Sequence, residues 1–588
     1  MDINLHKIPF SRRGSYLALN LADDGSGLAL RTVYNGYENA KRELIRLVPC
    51  RDGKPIPFRL EMEPWGIRVE AEAGCGSSTM VLKGKGGLSL SGSGMEWSLE
   101  YLGAGLEGGY AKPLPMSLPS EAWRIIDQVS QSFLDLYPKS GDWTIEAPFG
   151  LGRMTSFYSQ DGNIPLERHT CPYVRATIGG GMSPFRLILR IGPDEEPEPE
   201  FGETEAEISA CRQEYERWCA PWLARLPAVH PHRNGAALAL YVLWSSIVEP
   251  MGLLKRPAVL MSKNWMNNVW SWDHCFNALA LASLEPALAA DQLLLPFDHQ
   301  SESGMLPDYV NNRTTLRTFT KPPVHGWCLR RLREKGVRFE EAELRRLYGK
   351  LVRWTDWWFA ARDRDGDGIC QYDHGFECGW DNSSAFDRGI PIESPDLTAY
   401  LLLQIDVLAD LSLELGLPEE TAGWRSRYDG LLEKFLAYFW VDGAFVTRHD
   451  GEAVPPGSLL NYMPAVLGEK LPESVFRSLT SALAEEGRYE APSGFATEAL
   501  NSPAYRPGAS YWRGPVWAPV MYLLADGLRR GGAQELADRA AGRFLAAVAE
   551  SGGMYENYDP VTGRGYDDPA YTWTAGVFLL LLEESLGV

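Results

Sequence analysis

The stretch FECGWDNSSAFD, residues 376–387, contains acids that no helix or strand periodicity explains. Asp381 follows Trp380 directly, and an indole that limits the access of water raises the pKa of a carboxyl group, as a general acid requires. The alternative is a turn acid that caps a helix. Residues 363–374, just before it, carry aspartates at alternate positions but His374 at the twelfth position, where a calcium loop needs a bidentate Glu. We therefore favour an Asp/Gly turn there over a bound cation, and predict neither a metal nor a cofactor.

A second candidate acid is Glu556, which lies between Tyr555 and Tyr558 in GGMYENYDPVTG, residues 552–563. By itself this pattern is typical of a surface turn, because DPVTG is a turn signal. Like Asp381, however, Glu556 lies just before one of the helices predicted for the C-terminal part of the chain. This shared position is what makes Glu556 a candidate. Although the two acids are far apart in the sequence, both could reach one cavity.

Aromatic residues and a further acid stand at the start of another predicted helix. In NVWSWDHCFNALAL, residues 268–281, these are Trp270, Trp272 and Asp273. An indole can lie against the C–H face of a sugar, and a carboxylate can bind two of its hydroxyls. The alternative is that Asp273 caps the helix while the two tryptophans pack in the core.

The segment SYWRGPVWAPV, residues 510–520, has the same character. Pro515 suits the first turn of a helix, which would put Trp512 and Arg513 just before that helix and Trp517 one turn inside it. A helix start carries partial positive charge and is a common place for a binding site. The alternative is hydrophobic stapling of the helix start.

The sequence around these motifs shows two different patterns, one typical of strands and one typical of helices, so a multidomain protein is predicted. Residues 1–200 show short alternating runs such as WGIRVEAEAG (65–74), broken by Gly and Ser, which predicts a β-sandwich. GPDEEPEPEFGETE (192–205) is acidic and Pro-rich, which indicates a linker, and residues 201–229 are predicted to be an acidic linker and a connecting helix. Helical patterns then fill residues 230–588, near 233–249, 273–284, 286–296, 323–335, 340–361, 395–415, 419–440, 457–467, 473–485, 515–530, 533–550 and 570–586. Twelve helices predict six hairpins closed into a ring, an (α/α)6 barrel, with long loops before the even-numbered, inner helices.

Composition narrows the class of ligand. The chain has 57 Lys and Arg against 77 Asp and Glu, and a net charge of −20 opposes binding to nucleic acid or to an anionic membrane. No apolar run is long enough to span a bilayer, and the first residues lack the apolar core of a signal peptide, so we expect a cytoplasmic protein. Nine cysteines without a paired CxxC indicate reduced thiols. No serine elbow, phosphate loop or dinucleotide fingerprint stands out.

In order along the chain, WSWDHCFNALAL, KPPVHGW (321–327), ECGWDNSS, YWRGPVW and MYENYDP resemble inverting glycoside hydrolases of the trehalase and processing-glucosidase clan. Within that clan the chain is most similar to glycoside hydrolase family 63, and the resemblance covers roughly residues 255–588. It implies an (α/α)6 barrel with Asp381 as the general acid and Glu556 as the general base. It also implies that the sugar subsite is lined by Trp270, Trp272, Asp273, Tyr511, Trp512 and Trp517.

Three departures from the family pattern bear on the substrate. Cys378 makes the motif ECG where relatives usually have ESG. The trehalase signature PGGRFxExYxWD is replaced by MSKNWMNNVWSWD, which argues against trehalose. Lys321 stands where relatives often have Gln before the Pro-Pro pair, and an extra cation there would suit an aglycone with a carboxylate, such as glycerate. The alternative is that Lys321 faces solvent.

Together these features predict a metal-independent, inverting glycosidase that cleaves a small α-glucoside or α-mannoside with water as the nucleophile. The partner is a small carbohydrate, and neither the sugar, its linkage nor the oligomeric state follows from the sequence. Two alternatives stay open: another (α/α)6 enzyme, such as a phosphorylase, a rhamnosidase or a lyase, and a sugar-binding protein without catalysis. The predicted catalytic residues are Asp381 and Glu556, and the predicted substrate-binding residues are Trp270, Trp272, Asp273, Lys321, Trp380, Tyr511, Trp512, Arg513 and Trp517.

Overall fold

The computed structural model describes the whole chain except residues 1–2, 37–39, 73, 75, 103–109, 114–121, 128–129, 148–149, 156–164, 171–172, 486 and 588. The chain divides into two compact units. The first contains Met1–Ala220, Trp244–Glu249 and Ser262–Asn267, and the second contains Pro221–Leu243, Pro250–Met261 and Asn268–Val588. Within the described ranges, no helix has both the length and the apolar character needed to cross a membrane.

The first unit is a β-sandwich, as the alternating pattern predicts. Where the chain is described, one sheet has seven strands in the order β1-β2-β3-β9-β16-β13, with β4 on β3, and the other has eight in the order β10-β11-β12-β17-β8-β7-β6-β5. Strand β6 shows why: Ile67 and Val69 are buried while Arg68 and Glu70 are exposed, the period of two of a half-buried strand. The strands are β1 Leu17–Leu21, β2 Leu28–Thr32, β3 Ile45–Arg51, β4 Lys54–Pro55, β5 Phe58–Glu63, β6 Gly66–Ala71, β7 Ser77–Lys83, β8 Gly87–Ser93, β9 Glu96–Tyr101, β10 Tyr110–Pro113, β11 Trp123–Asp127, β12 Ser132–Ser140, β13 Trp143–Glu146, β14 Gly150–Thr155, β15 Pro165–Thr170, β16 Val174–Gly179 and β17 Phe185–Gly192.

The rest of the chain is mainly helical, and each segment predicted to be a helix is found as one. The helices are α1 Thr204–Leu223, α2 Arg233–Ser246, α3 Asp273–Leu281, α4 Pro286–Asp298, α5 His325–Glu334, α6 Glu341–Ala361, α7 Gly375–Cys378, α8 Pro395–Glu414, α9 Pro418–Phe439, α10 Glu473–Leu483, α11 Ala518–Arg530, α12 Gln534–Ser551 and α13 Thr572–Leu586, with 3₁₀ helices at Ser384–Phe386 and Leu459–Lys470.

Two of the helix predictions need correction. The segment predicted near 457–467 is the 3₁₀ helix Leu459–Lys470, which contains Pro464, and a proline inside an α-helix removes a hydrogen-bond donor. Helix α11 begins at Ala518 and not at residue 515, so Trp517 is its N-cap and does not lie one turn inside it.

Six helical segments of the second unit contact one another in turn. Helix α3 packs on α5, α5 on α8, α8 on the 3₁₀ helix Leu459–Lys470, that helix on α11, α11 on α13, and α13 on α3. These are the even-numbered segments of the prediction. Helices α4, α9, α10 and α12 pack against α3, α8, the 3₁₀ helix and α11, respectively.

Short strands occur in the loops between the helices. They are β18 Ile247–Val248, β19 Ala258–Val259, β20 Val269–Trp270, β21 Tyr309–Val310, β22 Thr315–Leu316, β23 Gln371–Tyr372, β24 Ile392–Glu393, β25 Trp440–Val441, β26 Ala444–Phe445, β27 Arg448–His449, β28 Glu452–Ala453, β29 Glu490–Ala491, β30 Gly494–Phe495, β31 Val516–Trp517, β32 Asn557–Tyr558 and β33 Gly565–Tyr566. Strand β31 pairs with β32, and this pairing sets Trp517 opposite Asn557, next to one of the two candidate acids.

Candidate active site

The segment 376–387, in the loop between α6 and α8, carries three carboxylates, and two of them are bound to arginines. Glu377 accepts hydrogen bonds from the guanidinium of Arg362, one of them at 3.1 Å. Asp387 likewise accepts two hydrogen bonds from the guanidinium of Arg513, one of which is 2.8 Å long. Among the described residues, Asp381 is the carboxyl of the three that no arginine binds, so it is the one that stays available for chemistry.

A single helical turn sets the direction of this loop. Helix α7, Gly375–Cys378, is capped by His374, whose Nδ1 accepts a hydrogen bond of 3.1 Å from the backbone N–H of Phe376. Gly379 ends the turn with a φ of +75°. A Cβ atom at this position would lie 2.8 Å from the indole of Trp272, so only glycine fits both the backbone and the close approach.

Hydrogen bonds join the loop of Asp381 to the loop of Glu556. The side-chain oxygen of Asn382 accepts from the backbone N–H of Trp512 at 2.9 Å. The hydroxyl of Tyr511, the residue before, donates to Oε1 of Glu556 at 3.2 Å. The two candidate acids are therefore connected through Asn382 and the Tyr511–Trp512 pair, and they lie in one site.

The backbone of Tyr511 is held in a rare conformation. Its φ is +63°, in the left-handed region that a bulky residue seldom adopts. Its carbonyl oxygen accepts a hydrogen bond of 3.0 Å from the indole N–H of Trp517, and its ring lies edge-on to that indole with 4.9 Å between centroids. These contacts fix the direction in which the Tyr511 hydroxyl points.

The carboxyl of Glu556 is buried, with 4% of the residue exposed. Its backbone N–H donates to the carbonyl of Asp568 at 2.9 Å, and its own carbonyl accepts from the indole N–H of Trp573 at 3.3 Å. Burial raises the pKa of Glu556 well above its usual value, and the carboxylates of Asp567 and Asp568 raise it further. The Tyr511 hydroxyl acts in the opposite direction, because a donated hydrogen bond stabilises the charged form.

Lys321 is buried beside the other acid. Its ammonium lies 3.2 Å from Oδ1 of Asp308 and donates to the carbonyl oxygen of Phe376 at 2.6 Å. Burial acts to lower the pKa of Lys321, yet the carboxylates of Asp308, Asp381 and Asp273 outweigh it and the pKa is raised. Burial likewise raises the pKa of Asp381, and the nearby Lys321 ammonium limits that rise. The alternative that Lys321 faces solvent is therefore wrong.

Asp273 is the first residue of α3, and Trp272 before it is the N-cap, which makes no side-chain capping hydrogen bond. Burial raises the pKa of Asp273 to about 8, and the ammonium of Lys321 opposes the rise. Its Oδ2 is buried, and in the described part of the chain it has no hydrogen-bond partner. A buried polar atom without a partner costs stability, and a hydroxyl of a bound molecule would supply the missing bond.

Five indoles form a continuous row through the site. Trp272 lies 6.1 Å from Trp573, and Trp573 lies 5.6 Å from Trp517, both edge-on. Trp517 stacks on Trp512 at 3.8 Å, and Trp512 stacks on Trp380 at 4.8 Å. The row connects three of the sequence motifs, and its members are almost entirely buried.

Trp270 differs from these five because it is half-buried. It lies on β20, which pairs with β21, and its ring is edge-on to Tyr309 with 5.6 Å between centroids. Asp308 directly precedes β21, and its carbonyl accepts from the backbone N–H of Ser271 at 3.0 Å. The pairing thus brings the partner of Lys321 next to the motif that contains Asp273.

A model of the Mannosylglycerate hydrolase MGH1-like glycoside hydrolase domain matches residues 266–574, more than half of the chain. The chain belongs to this family. Members of the MGH1-like family are glycoside hydrolases, so the chain is a glycoside hydrolase, and the predicted resemblance to family 63 is confirmed. Hydrolysis is thereby favoured over the lyase, phosphorylase and non-catalytic alternatives.

Known proteins show the same relationship. The chain is similar to mannosylglycerate hydrolase MGH2 of Selaginella moellendorffii, at 27% identity over 54% of this chain and 80% of the relative. It resembles the crystal structure of GH63 mannosylglycerate hydrolase from Thermus thermophilus in complex with glucose, with a TM-score of 0.53, 24% identity, and 58% and 98% of the two chains covered. A bacterial glucoamylase complexed with acarbose covers 99% of this chain and 94% of its own, with a TM-score of 0.59 and 12% identity, which shows the fold alone.

In this MGH1-like domain, most of the predicted site residues lie together. Tyr511 is hydrogen-bonded to Glu556, Asn382 next to Asp381 is hydrogen-bonded to Trp512, and Lys321 acts electrostatically on both Asp381 and Asp273. The guanidinium of Arg513 is bound to Asp387, and Trp272, Trp380, Trp512 and Trp517 pack against protein atoms in the indole row. Their contacts with a sugar, like the roles of the two acids, stay predictions.

Several residues of the site escaped the sequence analysis. They are Asp308, Asn382, Asp567, Asp568 and Trp573. Asp308 lies in one of the long loops that are rich in Gly, Pro and Asp, and Asp567 and Asp568 follow the MYENYDP motif. The composition of these segments could therefore have pointed to them. Their neighbours in space lie in other motifs, and sequence spacing cannot show that.

The loop 363–374 is the candidate cation site. Carboxylate oxygens of Asp363, Asp365 and Asp367 lie within 4.8 Å of one another. Backbone N–H groups bind two of them, Gly368 donating to Asp363 at 3.0 Å, as in an Asp/Gly turn. His374 at the twelfth position caps α7, so it is not directed at these carboxylates. The metal-independent reaction stays a prediction.

Proposed function

We propose that this enzyme is an inverting hydrolase of a small α-glucoside or α-mannoside, with Asp381 as the general acid and Glu556 as the general base. The observation that carries the proposal is the connection between the two: Glu556 is buried and Asp381 half-buried, both have raised pKa values, and hydrogen bonds through Asn382 and Tyr511 link their loops. The mannosylglycerate names of the relatives make an α-mannoside the first substrate to test.

The chemistry follows from the two positions. Glu556 removes a proton from a water molecule, which attacks the anomeric carbon, while Asp381 protonates the departing glycosidic oxygen from the other side. The transition state resembles an oxocarbenium ion, and the configuration inverts because the water enters opposite to the leaving group. Each proton transfer of this kind contributes typically ~10²–10⁴-fold to the rate.

The pKa values bear on which of the two carboxyls is the general acid and which is the general base. Burial raises the pKa of both carboxyls; the Lys321 ammonium opposes the rise at Asp381, and the Tyr511 hydroxyl opposes it at Glu556. A base grows stronger as its pKa approaches the working pH, so a raised pKa suits Glu556 as long as the group is ionised. The hydrogen bond from Tyr511 favours that ionised form.

The sugar that loses its aglycone would be bound by Asp273 and by the exposed edge of Trp270. Asp273 offers the buried Oδ2 that has no hydrogen-bond partner in the described ranges, and a pair of sugar hydroxyls would satisfy the carboxyl. Trp380, Trp512 and Trp517 would then not contact the sugar. Their stacked rings would hold the loops of Tyr511 and Asp381 in place.

We further propose that the six helical segments that contact one another in turn are the inner ring of an (α/α)6 barrel in residues 230–588. The acids and Tyr511 precede the N-termini of the inner helices. The domain division 1–200, 201–229 and 230–588 and the cytoplasmic location also stay predictions, which limited proteolysis and cell fractionation would test.

The test compares two leaving groups with the same sugar. An α-linked disaccharide needs protonation of its leaving oxygen, whereas an α-glycosyl fluoride needs little acid assistance. We expect Asp381→Asn to lose ~10²–10⁴-fold on the disaccharide and to keep much of its rate on the fluoride. Glu556→Gln should be equally poor on both, because both reactions need an activated water.

Proton NMR of the first product from the wild-type enzyme reads the stereochemistry in the same assay. A β-anomer released from the α-fluoride is the expected result. An initial α-anomer would refute inversion. Rescue of Glu556→Gln by the fluoride would show that the two roles are exchanged.

A further inference from the structure

Three aromatic rings, one of them exposed and two half-buried, form a rim next to the proposed general acid. The rings of Phe319, His374 and Phe376 contact one another, with centroid distances of 5.0 Å, 5.2 Å and 4.4 Å. Phe376 is 39% exposed, which is unusual for a phenylalanine. We refer to these three residues as the aromatic rim.

The rim is attached rigidly to the backbone of Asp381. A Cβ atom on Gly375 would lie 2.4 Å from the carbonyl oxygen of Asp381, so the two backbones touch. The carbonyl of Phe376 accepts from Lys321, whose ammonium acts on the Asp381 carboxyl. The rim therefore borders the side of the site on which Asp381 would protonate the leaving group.

The cation at this position is already neutralised by the protein. Lys321 forms an ion pair with Asp308, donates a hydrogen bond to the carbonyl of Phe376, and interacts electrostatically with the carboxyls of Asp381 and Asp273. A carboxylate on the aglycone would have to compete with Asp308 for this ammonium and would be repelled by the Asp308 carboxylate. An uncharged group avoids that repulsion, because it adds no charge to a site of several carboxyls.

We propose that the leaving-group subsite binds an uncharged sugar ring, packed against the aromatic rim, and not a carboxylate-bearing group such as glycerate. The inference rests on the proposed function, since it places the leaving group beside Asp381. Aromatic rings match this ligand because a pyranose presents C–H faces to them while its hydroxyls stay in water. Phe376 is then the residue that determines specificity for the aglycone.

The test uses substrates with and without an aglycone ring. Wild-type enzyme is assayed on neutral α-linked glucose and mannose disaccharides, on the glycosylglycerate of the same sugar, and on the α-glycosyl fluoride. We expect the best neutral disaccharide to exceed the glycosylglycerate at least tenfold in kcat/KM. Phe376→Ala should lower kcat/KM on that disaccharide by ~3- to 10-fold, the usual range for one aromatic contact, and leave the fluoride rate unchanged.

Two control variants separate recognition from folding. Phe376→Tyr keeps the ring and should keep the disaccharide rate. Leu413→Ala removes another exposed apolar side chain, at the far end of α8, and should change neither rate. A preference for glycosylglycerate, or an equal loss on disaccharide and fluoride in Phe376→Ala, would overturn the inference while leaving the proposed function intact. The proposed function itself would be overturned if the wild-type enzyme hydrolysed neither the α-glucosyl nor the α-mannosyl fluoride.

Discussion

Replacing Tyr511 by Phe removes one hydroxyl and keeps the ring. The hydroxyl donates to Oε1 of Glu556 at 3.2 Å, and the ring would keep its edge contact with Trp517. The substitution therefore deletes the hydrogen bond that stabilises the ionised form of Glu556. Since only that form can take a proton from water, the effect should appear in the pH dependence of the reaction.

The size of the effect follows from the bond that is lost. A hydrogen bond to a charged group contributes about 1.5–3 kcal/mol. Because one pKa unit corresponds to about 1.4 kcal/mol, the pKa of Glu556, already raised, should rise by a further ~1–2 units. As the base must be deprotonated, the acidic limb of the kcat/KM profile moves to higher pH by the same amount. Below that limb, kcat/KM falls by ~10- to 100-fold, while the plateau above it changes little.

The assay follows fluoride release from the α-glycosyl fluoride, because that reaction depends little on the general acid. Profiles of kcat/KM are recorded for wild type, for Tyr511→Phe and for Tyr348→Phe. Tyr348 also donates its hydroxyl to a carboxylate, that of Glu420, but it lies on α6, outside the site. The control should leave both limbs of the profile in place.

Two outcomes contradict this reasoning in different ways. If neither limb moves in Tyr511→Phe, the hydrogen bond does not act on the ionisation of Glu556. If the alkaline limb moves to higher pH, measured on a disaccharide, the group with the raised pKa acts as the acid. The assignment of Asp381 and Glu556 would then be reversed.

Two further predictions concern stability and metal. Trp512→Ala removes the central indole of the buried row and should lower the free energy of unfolding by about 3–5 kcal/mol, measured by urea denaturation; a loss below ~1 kcal/mol would show that the row relaxes around the gap. EDTA should leave the rate unchanged, because the twelfth position of the loop 363–374 is occupied by the capping His374. A severalfold loss that calcium reverses would show that the three aspartates bind a cation that the reaction needs.

Local sequence patterns determined the elements of this protein. The period of two in residues 65–74 predicted a strand of the sandwich, and Pro395 and Gly416 marked the ends of α8 correctly to within two residues. Hydrophobic period, caps and breakers act over a few residues, so the sequence displays them directly. The start of α11 was missed because Val516 and Trp517 pair with Asn557 and Tyr558, a partner strand far along the chain.

The two candidate acids were also visible in the sequence, as carboxyls in motifs that no packing period explains. What only the tertiary structure decided is their surroundings. Glu377 and Asp387 are neutralised by arginines, Lys321 is tied to Asp308, and Tyr511 reaches Glu556 across the site. Charge pairing and pKa depend on distances of a few ångströms between residues of different loops. Those distances are set by the packing of the helices that carry the loops, and no local pattern records them.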